Sequence, residues 1–376
     1  MNVAFFIERP FELSKGGCEN RMFTFAEELH KQNHKVIFFT TFSKKEKMKL
    51  DRRFQYFSVM KSQKTVYNKS GNRSILNILY YLFSIYYFIK FRKKYDILDL
   101  SQFPVLHLIF LPVLKIYGIK YVISYYEYWG FKLQYEYSKN YIIAIIGYFI
   151  ELYIKFFNNN FIVISNKGYN FLKNKNTVLI DSPVNLKSNY IKFNDRKYDF
   201  IFFGRLKNHK NPNLSIKWFE SFNKLYPSKK LLIIGDGPEK KNIHNQIINS
   251  NSKNNIKFID KSISNKALWN YIANSKVFIF LSEKEGGGSI TTCEALSLGL
   301  VVVCSNEDDH IDYRLCRFNN FMISEDLNDF KSYKLVNELM KNKKINNLSK
   351  TSSETHLNYY SPSSLTSKLI KFYESI

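Results

Sequence analysis

Three short segments of this 376-residue chain combine residue types that bind anions. In the longest, SEKEGGGSITTCEAL (282–296), Gly286, Gly287 and Gly288 follow an apolar run at 277–281 and precede a helical pattern opening near Ile290. Strand, glycine loop and helix N-terminus present bare backbone N–H groups and the positive end of the helix dipole to a ligand, which glycine lets approach. Ser289 and Ile290 stand where that helix begins. Glu294 falls one turn inside it, where a carboxylate suits the two hydroxyl donors of a ribose. Alone, a triple glycine is also what a plain turn looks like. The second segment, FFGRLKNHKN (202–211), sets Arg205 and Lys210 five apart after Gly204, at a strand-to-helix turn. They can converge on one phosphate pair, the arginine as a planar fork and the lysine as a point charge. A solvated basic loop is the alternative. The third, IIGDGPE (233–239), reads only as a tight turn, with Pro238 suited to the first turn of the next helix.

The elements that must position these segments alternate along the chain. Short apolar runs predict strands near 2–7, 35–41, 54–59, 96–100, 120–124, 160–164 and 177–181, then near 199–203, 230–234, 255–259, 277–281, 300–304 and 320–323. Amphipathic stretches at 19–32, 75–93, 141–157, 212–225 and 265–274 lie between them. This is the order of βαβ units, hence an α/β fold of parallel sheets with helices on both faces. The pattern runs twice, and the length calls for two domains. The polar, aperiodic stretch 187–197 reads as the linker. The expected division is 1–187 and 188–362, with a C-terminal helix at 363–376 packing back on the first domain.

Composition narrows the function. With 45% hydrophobic and 17% aromatic residues, the chain is neither disordered nor low in complexity. The four cysteines lack metal-site or disulfide-framework spacing and fit a reducing, cytoplasmic setting. The opening run MNVAFFIERP is too short for a signal peptide. The net charge of +24 attracts phosphorylated ligands, nucleic acid or an anionic membrane. No nucleic-acid-binding motif is visible, and codon bias toward lysine is a competing source of the charge. The excess leans to the first half: 28 basic against 13 acidic residues up to 190, 28 against 19 after it. There, 75–89, 103–114 and 141–150 are strongly apolar, yet each is shorter than a spanning helix. Each fits a crossover helix packed on a sheet. The stretch 75–89, flanked by Arg73 and by Lys90, Arg92, Lys93 and Lys94, also suits lying on an anionic bilayer at the inner face of a cell membrane.

Taken in order, FFGRLKNHKN, LLIIGDGPE and FIFLSEKEGGG…CEAL resemble the second domain of family-four glycosyltransferases, the glycosyl transferases group 1 of the GT-B retaining type. KGGCENR (15–21) after the first strand looks like that group's first glycine loop. The resemblance implies two Rossmann-like, doubly wound parallel-sheet domains facing a cleft. It implies a nucleoside-diphosphate sugar, of UDP or GDP type, bound mainly by the second domain. Arg205 and Lys210 then match the pair that neutralises the diphosphate, and Glu294 the ribose-binding glutamate. Glu285 matches the glutamate near the donor sugar. Gly204, Gly286, Gly287, Gly288, Ser289 and Ile290 fall in the donor-binding loops. Gly16 and Gly17 match the loop closing over the diphosphate from the first domain. The implied acceptor is a glycan or lipid-linked hydroxyl, as in bacterial surface polysaccharide or lipopolysaccharide synthesis.

Three departures stand out. Eight residues, not the usual seven, separate Glu285 from Glu294. The stretch VISYYEY (122–128) has no histidine where the family usually carries one, and Glu127 is the nearest polar candidate for a catalytic role. The loop 305–310 is acidic rather than glycine-rich. No Asp-x-Asp motif calls for a metal, and no cofactor is implied: Arg205, Lys210 and a helix dipole would carry the diphosphate charge. Front-face attack, with the leaving phosphate taking the acceptor's proton, needs no separate base. The competing readings are a sugar-nucleotide epimerase of the same fold and a non-enzymatic basic membrane-surface protein.

Overall fold

A computed structural model describes residues 1–14, 16–61, 81–186, 190–261, 263–282, 289–304, 330–342 and 344–376. The chain divides into two compact units, 1–183 with 362–376, and 184–361. The division thus falls at Pro183 and Val184 and at Ser361 and Pro362, a few residues before the expected 187/188 and 362. Residues 187–189 of the expected linker lie outside the described residues. The rest of that stretch is not a linker. Phe193 is fully buried, and the Arg196 guanidinium is buried against the carbonyls of Ile191, Ser275, Leu298 and Gly299 and the hydroxyl of Ser349. Isolated apolar and charged residues without periodicity read as solvated in a sequence. Here one arginine satisfies several buried carbonyls at once, which burial otherwise leaves costly.

The first unit holds strands β1 (Asn2–Phe6), β2 (Lys35–Phe42), β3 (Gln55–Lys61), β4 (Ile97–Ser101), β5 (Tyr121–Tyr125), β6 (Asn160–Val163) and β7 (Asn176–Leu179). They form one parallel sheet in the order β3-β2-β1-β4-β5-β6-β7. Helices α1 (Gly17–Lys31), α2 (Ser84–Lys90), α3 (Leu111–Ile116), α4 (Gly130–Ser138), α5 (Tyr141–Phe157) and α6 (Asn166–Leu172) connect them. In the second unit β8 (Tyr198–Phe203), β9 (Leu231–Ile234), β10 (Ile256–Ile259), β11 (Ser275–Phe280) and β12 (Val301–Cys304) run parallel in the order β10-β9-β8-β11-β12. Its helices are α7 (Pro212–Leu225), α8 (Lys240–Ile248), α9 (Asn265–Ala273), α10 (Ile290–Ser297), α11 (Phe330–Lys341) and α12 (Ile345–Tyr360). Helix α13 (Pro362–Glu374) returns to the first unit and packs on α1. The expected strand at 320–323 lies outside the described residues.

Both sheets are buried on two faces, so their strands are continuous apolar runs: Val3 to Phe6 and Val277 to Ile279 are fully buried. Each sheet is doubly wound, as the GT-B resemblance implies. The strand order reverses between β1 and β4 in the first unit, and between β8 and β11 in the second. Ligands of such sheets bind beyond the carboxyl ends of the strands flanking the reversal.

One helix departs from expectation. Helix α5 was expected to be a packed crossover. Its Ala144, Glu151 and Ile154 are indeed buried, but Tyr141, Ile142, Ile143, Ile145, Ile146, Phe149 and Phe156 are exposed. A helix apolar all round is ordinarily buried, so the uncovered stripe sets α5 apart. In the stretch 75–89, residues 75–80 lie outside the described residues, while Tyr81 and Phe88 are core residues. No helix of the described residues is long and apolar enough to cross a membrane.

Candidate active site

The second unit gathers most of the described candidates at the β8/β11 reversal. Strands β8 and β11 pair directly, with Phe200 opposite Val277 and Ile201 opposite Phe278, so the chain leaves both at the same sheet edge. After β8, Gly204 has φ +145°, a conformation that L side chains rarely adopt. Arg205 follows with its side chain exposed, and Lys210, half-buried, closes the short turn Asn208–Lys210. Asn211 then takes a left-handed conformation and Pro212 opens α7. Ser282 Oγ donates to the His209 carbonyl at 2.9 Å, tying the end of β11 to that turn.

The GDGP segment, which the sequence showed only as a turn, braces the Arg205 loop. Leu206 N donates to Asp236 O (3.0 Å), Glu239 N to Leu206 O (3.0 Å) and Gly204 N to Ile234 O (3.1 Å). A Cβ on Gly235 would stand 2.2 Å from the Gly204 carbonyl, and one on Gly237 2.5 Å from that of Leu206. Two glycines therefore let one loop lie flat on the other.

Helix α10 begins at Ile290, with Ser289 at its N-cap and Ser289 Oγ 2.8 Å from Thr291 Oγ1. Glu294, half-buried one turn in, accepts a 3.1 Å hydrogen bond at Oε1 from Trp269 Nε1 of α9. Burial, opposed in part by the indole N–H, leaves the Glu294 carboxyl raised to about 7. A lone tryptophan twenty-five positions away carries no sequence signal for this contact. Glu285, Gly286, Gly287 and Gly288 lie outside the described residues, as does the acidic loop 305–310.

In the first unit Gly16 and Gly17 follow β1, at the reversal, and Glu127 follows β5, the strand beyond β4. Gly16 is the N-cap of α1 and Gly17 its first residue, and a Cβ on Gly17 would meet nothing within 4 Å. Glu127 follows β5, its Oε2 accepting from Trp129 Nε1 at 2.6 Å. Gln102, beyond β4, clamps the same loop: its Oε1 accepts from Tyr126 N (2.8 Å) and Glu127 N (2.9 Å), and its Nε2 donates to Glu127 O (2.8 Å). Behind the glycines, Arg21 is fully buried and donates to Ile180 O (3.1 Å). Asp99, also buried, accepts from Tyr373 Oη of α13 at 2.6 Å. Burial pushes the Asp99 carboxyl up, against the Tyr373 hydrogen bond and the charge of Arg21. His107 is a core residue, its ring 4.3 Å from that of Phe6, and burial holds it neutral with a pKa of about 3. Cys293 and Cys304 are buried and form no disulfide.

Two doubly wound parallel units of this order define the fold of the GT-B glycosyltransferases. Residues 185–355, nearly all of the second unit, match the family of glycosyl transferases group 1. Over 107 residues the chain is 34% identical to an uncharacterized glycosyltransferase of Methanocaldococcus jannaschii. That match spans 28% of this chain and only a quarter of the relative's length. Among solved structures it resembles sucrose-phosphate synthase from Thermosynechococcus elongatus, at TM-score 0.77 and 15% identity, covering 100% of this chain and 98% of the other. Anabaena HepE in complex with UDP and glucose aligns at TM-score 0.69 and 13% identity, covering both chains fully. WaaG, a glycosyltransferase involved in lipopolysaccharide biosynthesis, aligns at TM-score 0.65 and 14% identity over 98% of each chain. At these identities the likeness is one of fold.

Proposed function

We propose that the protein transfers a hexose from a nucleoside-diphosphate sugar, of UDP or GDP type, to a hydroxyl of a glycan or lipid-linked acceptor, with retention. Its place would be bacterial surface polysaccharide or lipopolysaccharide synthesis, at the inner face of the cell membrane. The observation that carries the reading is the β8/β11 edge of the second unit, where Arg205 and Lys210 stand on one loop and Glu294, held by Trp269, on the adjoining helix. The structures of similar fold include one bound to UDP and glucose and one from lipopolysaccharide biosynthesis.

In this reading the hard step is breaking the anomeric C–O bond as the diphosphate leaves. Arg205 and Lys210 stabilise the charge that develops on the diphosphate, together with the N-terminus of α10 at Ser289 and Ile290. Ionised Glu294 accepts the two ribose hydroxyls and fixes the nucleoside. The leaving phosphate takes the proton of the acceptor hydroxyl, so Glu127 is not required as a base. Gly17, at the start of α1, leaves open space for a phosphate while Gly16 packs against the Glu19 carboxylate, and Glu285 with Gly286 to Gly288 serves the sugar. No metal or cofactor takes part.

The test is calorimetric binding of UDP, GDP and ADP to the wild type, Glu294→Ala and Arg205→Ala. Selective binding of one nucleotide, lost in both variants, supports the reading and names the donor class. Equal weak binding of all three that fades with salt overturns it. Donor turnover without any acceptor would instead mark an epimerase.

A further inference from the structure

We propose that the uncovered apolar face of α5, with the groove beside it, docks on an anionic lipid bilayer. The proposal deepens, and rests on, the reading of a membrane-linked acceptor above. It moves the contact from the stretch 75–89 to a different element.

Ile142, Ile145, Ile146, Phe149 and Phe156 recur at three-, four- and seven-residue intervals and share one helix face, at which Ile142 is 69% and Phe156 75% exposed. A soluble surface scatters single apolar residues and does not line them up. The helix is 17 residues and so about 26 Å long. It is held rigidly. Asn140 caps it by accepting from Ile142 N and Ile143 N. Buried Glu151 accepts from Trp129 N and Gly130 N at 2.9 Å, fixing α4 against it. Tyr153 Oη donates to the Ile109 carbonyl at 2.6 Å, fixing the other flank.

Between that flank and α5 runs a groove of about 340 Å³, walled by Leu106, Ile109, Ile146, Phe149 and Ile150. Its walls are almost wholly apolar, so water gains nothing there and an acyl chain would. The exposed apolar surface continues beyond it through Ile109 to Ile116, itself 81% exposed, and Tyr117.

Charge decides the occupant. Exposed Lys115 adjoins Ile116, exposed Lys132 stands in the first turn of α4 and Lys139 at its C-cap, and the Arg92 guanidinium lies 5.9 Å over the Tyr117 ring. On α4 and α5 only Glu136 and the buried Glu151 oppose them. Apolar residues ringed by cations are what an anionic leaflet attracts. A second copy of this +24 chain would bring the same cations against one another.

The test is flotation of the full chain with vesicles of phosphatidylcholine alone and of phosphatidylcholine with phosphatidylglycerol. Binding to the mixed vesicles, weakened by salt and about tenfold weaker in Ile142→Asn/Ile146→Asn/Phe149→Asn, is the expected result. A matched variant, Lys132→Glu/Lys139→Glu, should also bind less while leaving the apolar face intact. Unchanged nucleotide calorimetry and melting show that the variants are folded. Wild type that ignores anionic vesicles, or a triple variant that floats like wild type, overturns the docking and leaves the donor site untouched. A wild-type dimer that the triple variant dissociates assigns the face to a second copy and equally overturns it. Vesicle binding without nucleotide binding removes the transferase reading and keeps the docking surface.

Discussion

Trp269 donates its indole N–H to Glu294 Oε1 across 3.1 Å, linking the helix that feeds β11 to the helix that leaves it. The bond favours the ionised carboxylate in surroundings that otherwise favour the neutral acid. It also fixes the position of the carboxylate. A hydrogen bond to a charged group contributes about 1.5–3 kcal/mol. Trp269→Phe should therefore weaken nucleotide binding roughly ten- to hundredfold near neutral pH. Wild-type affinity should fall as pH drops through the Glu294 value of about 7, and the midpoint should move to higher pH in the variant. Calorimetry as a function of pH checks both, and an unmoved midpoint would count against the positioning role.

The same carboxyl makes stability depend on pH. Its folded pKa, about 7, is raised above the ordinary 4.5. The associated stability is fully present below pH 4.5 and is lost as pH rises through 7. Glu294→Gln abolishes this titration. The variant should melt above the wild type at pH 8 and together with it at pH 4, as scanning calorimetry would show.

Gly237→Ala probes the loop clasp. The added methyl would meet the Leu206 carbonyl at 2.5 Å in a backbone with φ +154°. Overpacking of this kind costs about 1–3 kcal/mol. The melting temperature should fall, and nucleotide affinity with it, because Arg205 rides on the displaced loop. A melt lowered with affinity intact would mean that the clasp does not set the arginine.

Arg196→Met separates folding from ligand binding. It removes the arginine donor from the buried carbonyls of Ser275 and Leu298, while that of Gly299 keeps Ser349 Oγ at 2.7 Å. At about 1–3 kcal/mol for an unsatisfied buried group, the second unit should lose several kcal/mol in denaturant unfolding. Folded protein at low denaturant should still bind nucleotide as the wild type does.

Both sheets could be read in advance because their strands are buried on two faces. Runs such as VAFF and VFIF have no amphipathic ambiguity, and charge or glycine closes each one. Helices 141–157 and 212–225 were legible to the residue because Asn140 and Pro212 start them. What could not be read was the environment of α5: its spacing is the same whether the second stripe meets a sheet or solvent. Trp269 was illegible for a different reason, since its partner is set by the crossing of α9 and α10 and not by chain spacing. GDGP carried its information in the absence of side chains, which a sequence shows as a turn and only packing shows as a contact.

The buried pair of Tyr373 and Asp99 sets an order of assembly. Asp99 sits in the fourth strand of the first unit, yet its partner belongs to α13, beyond the whole of residues 184–361. On the ribosome the first sheet is made early, and its buried carboxyl waits for this hydroxyl until the second unit has been synthesised. The second unit is contiguous and can close as soon as it emerges, so the part of the chain made first is the part whose folding finishes last.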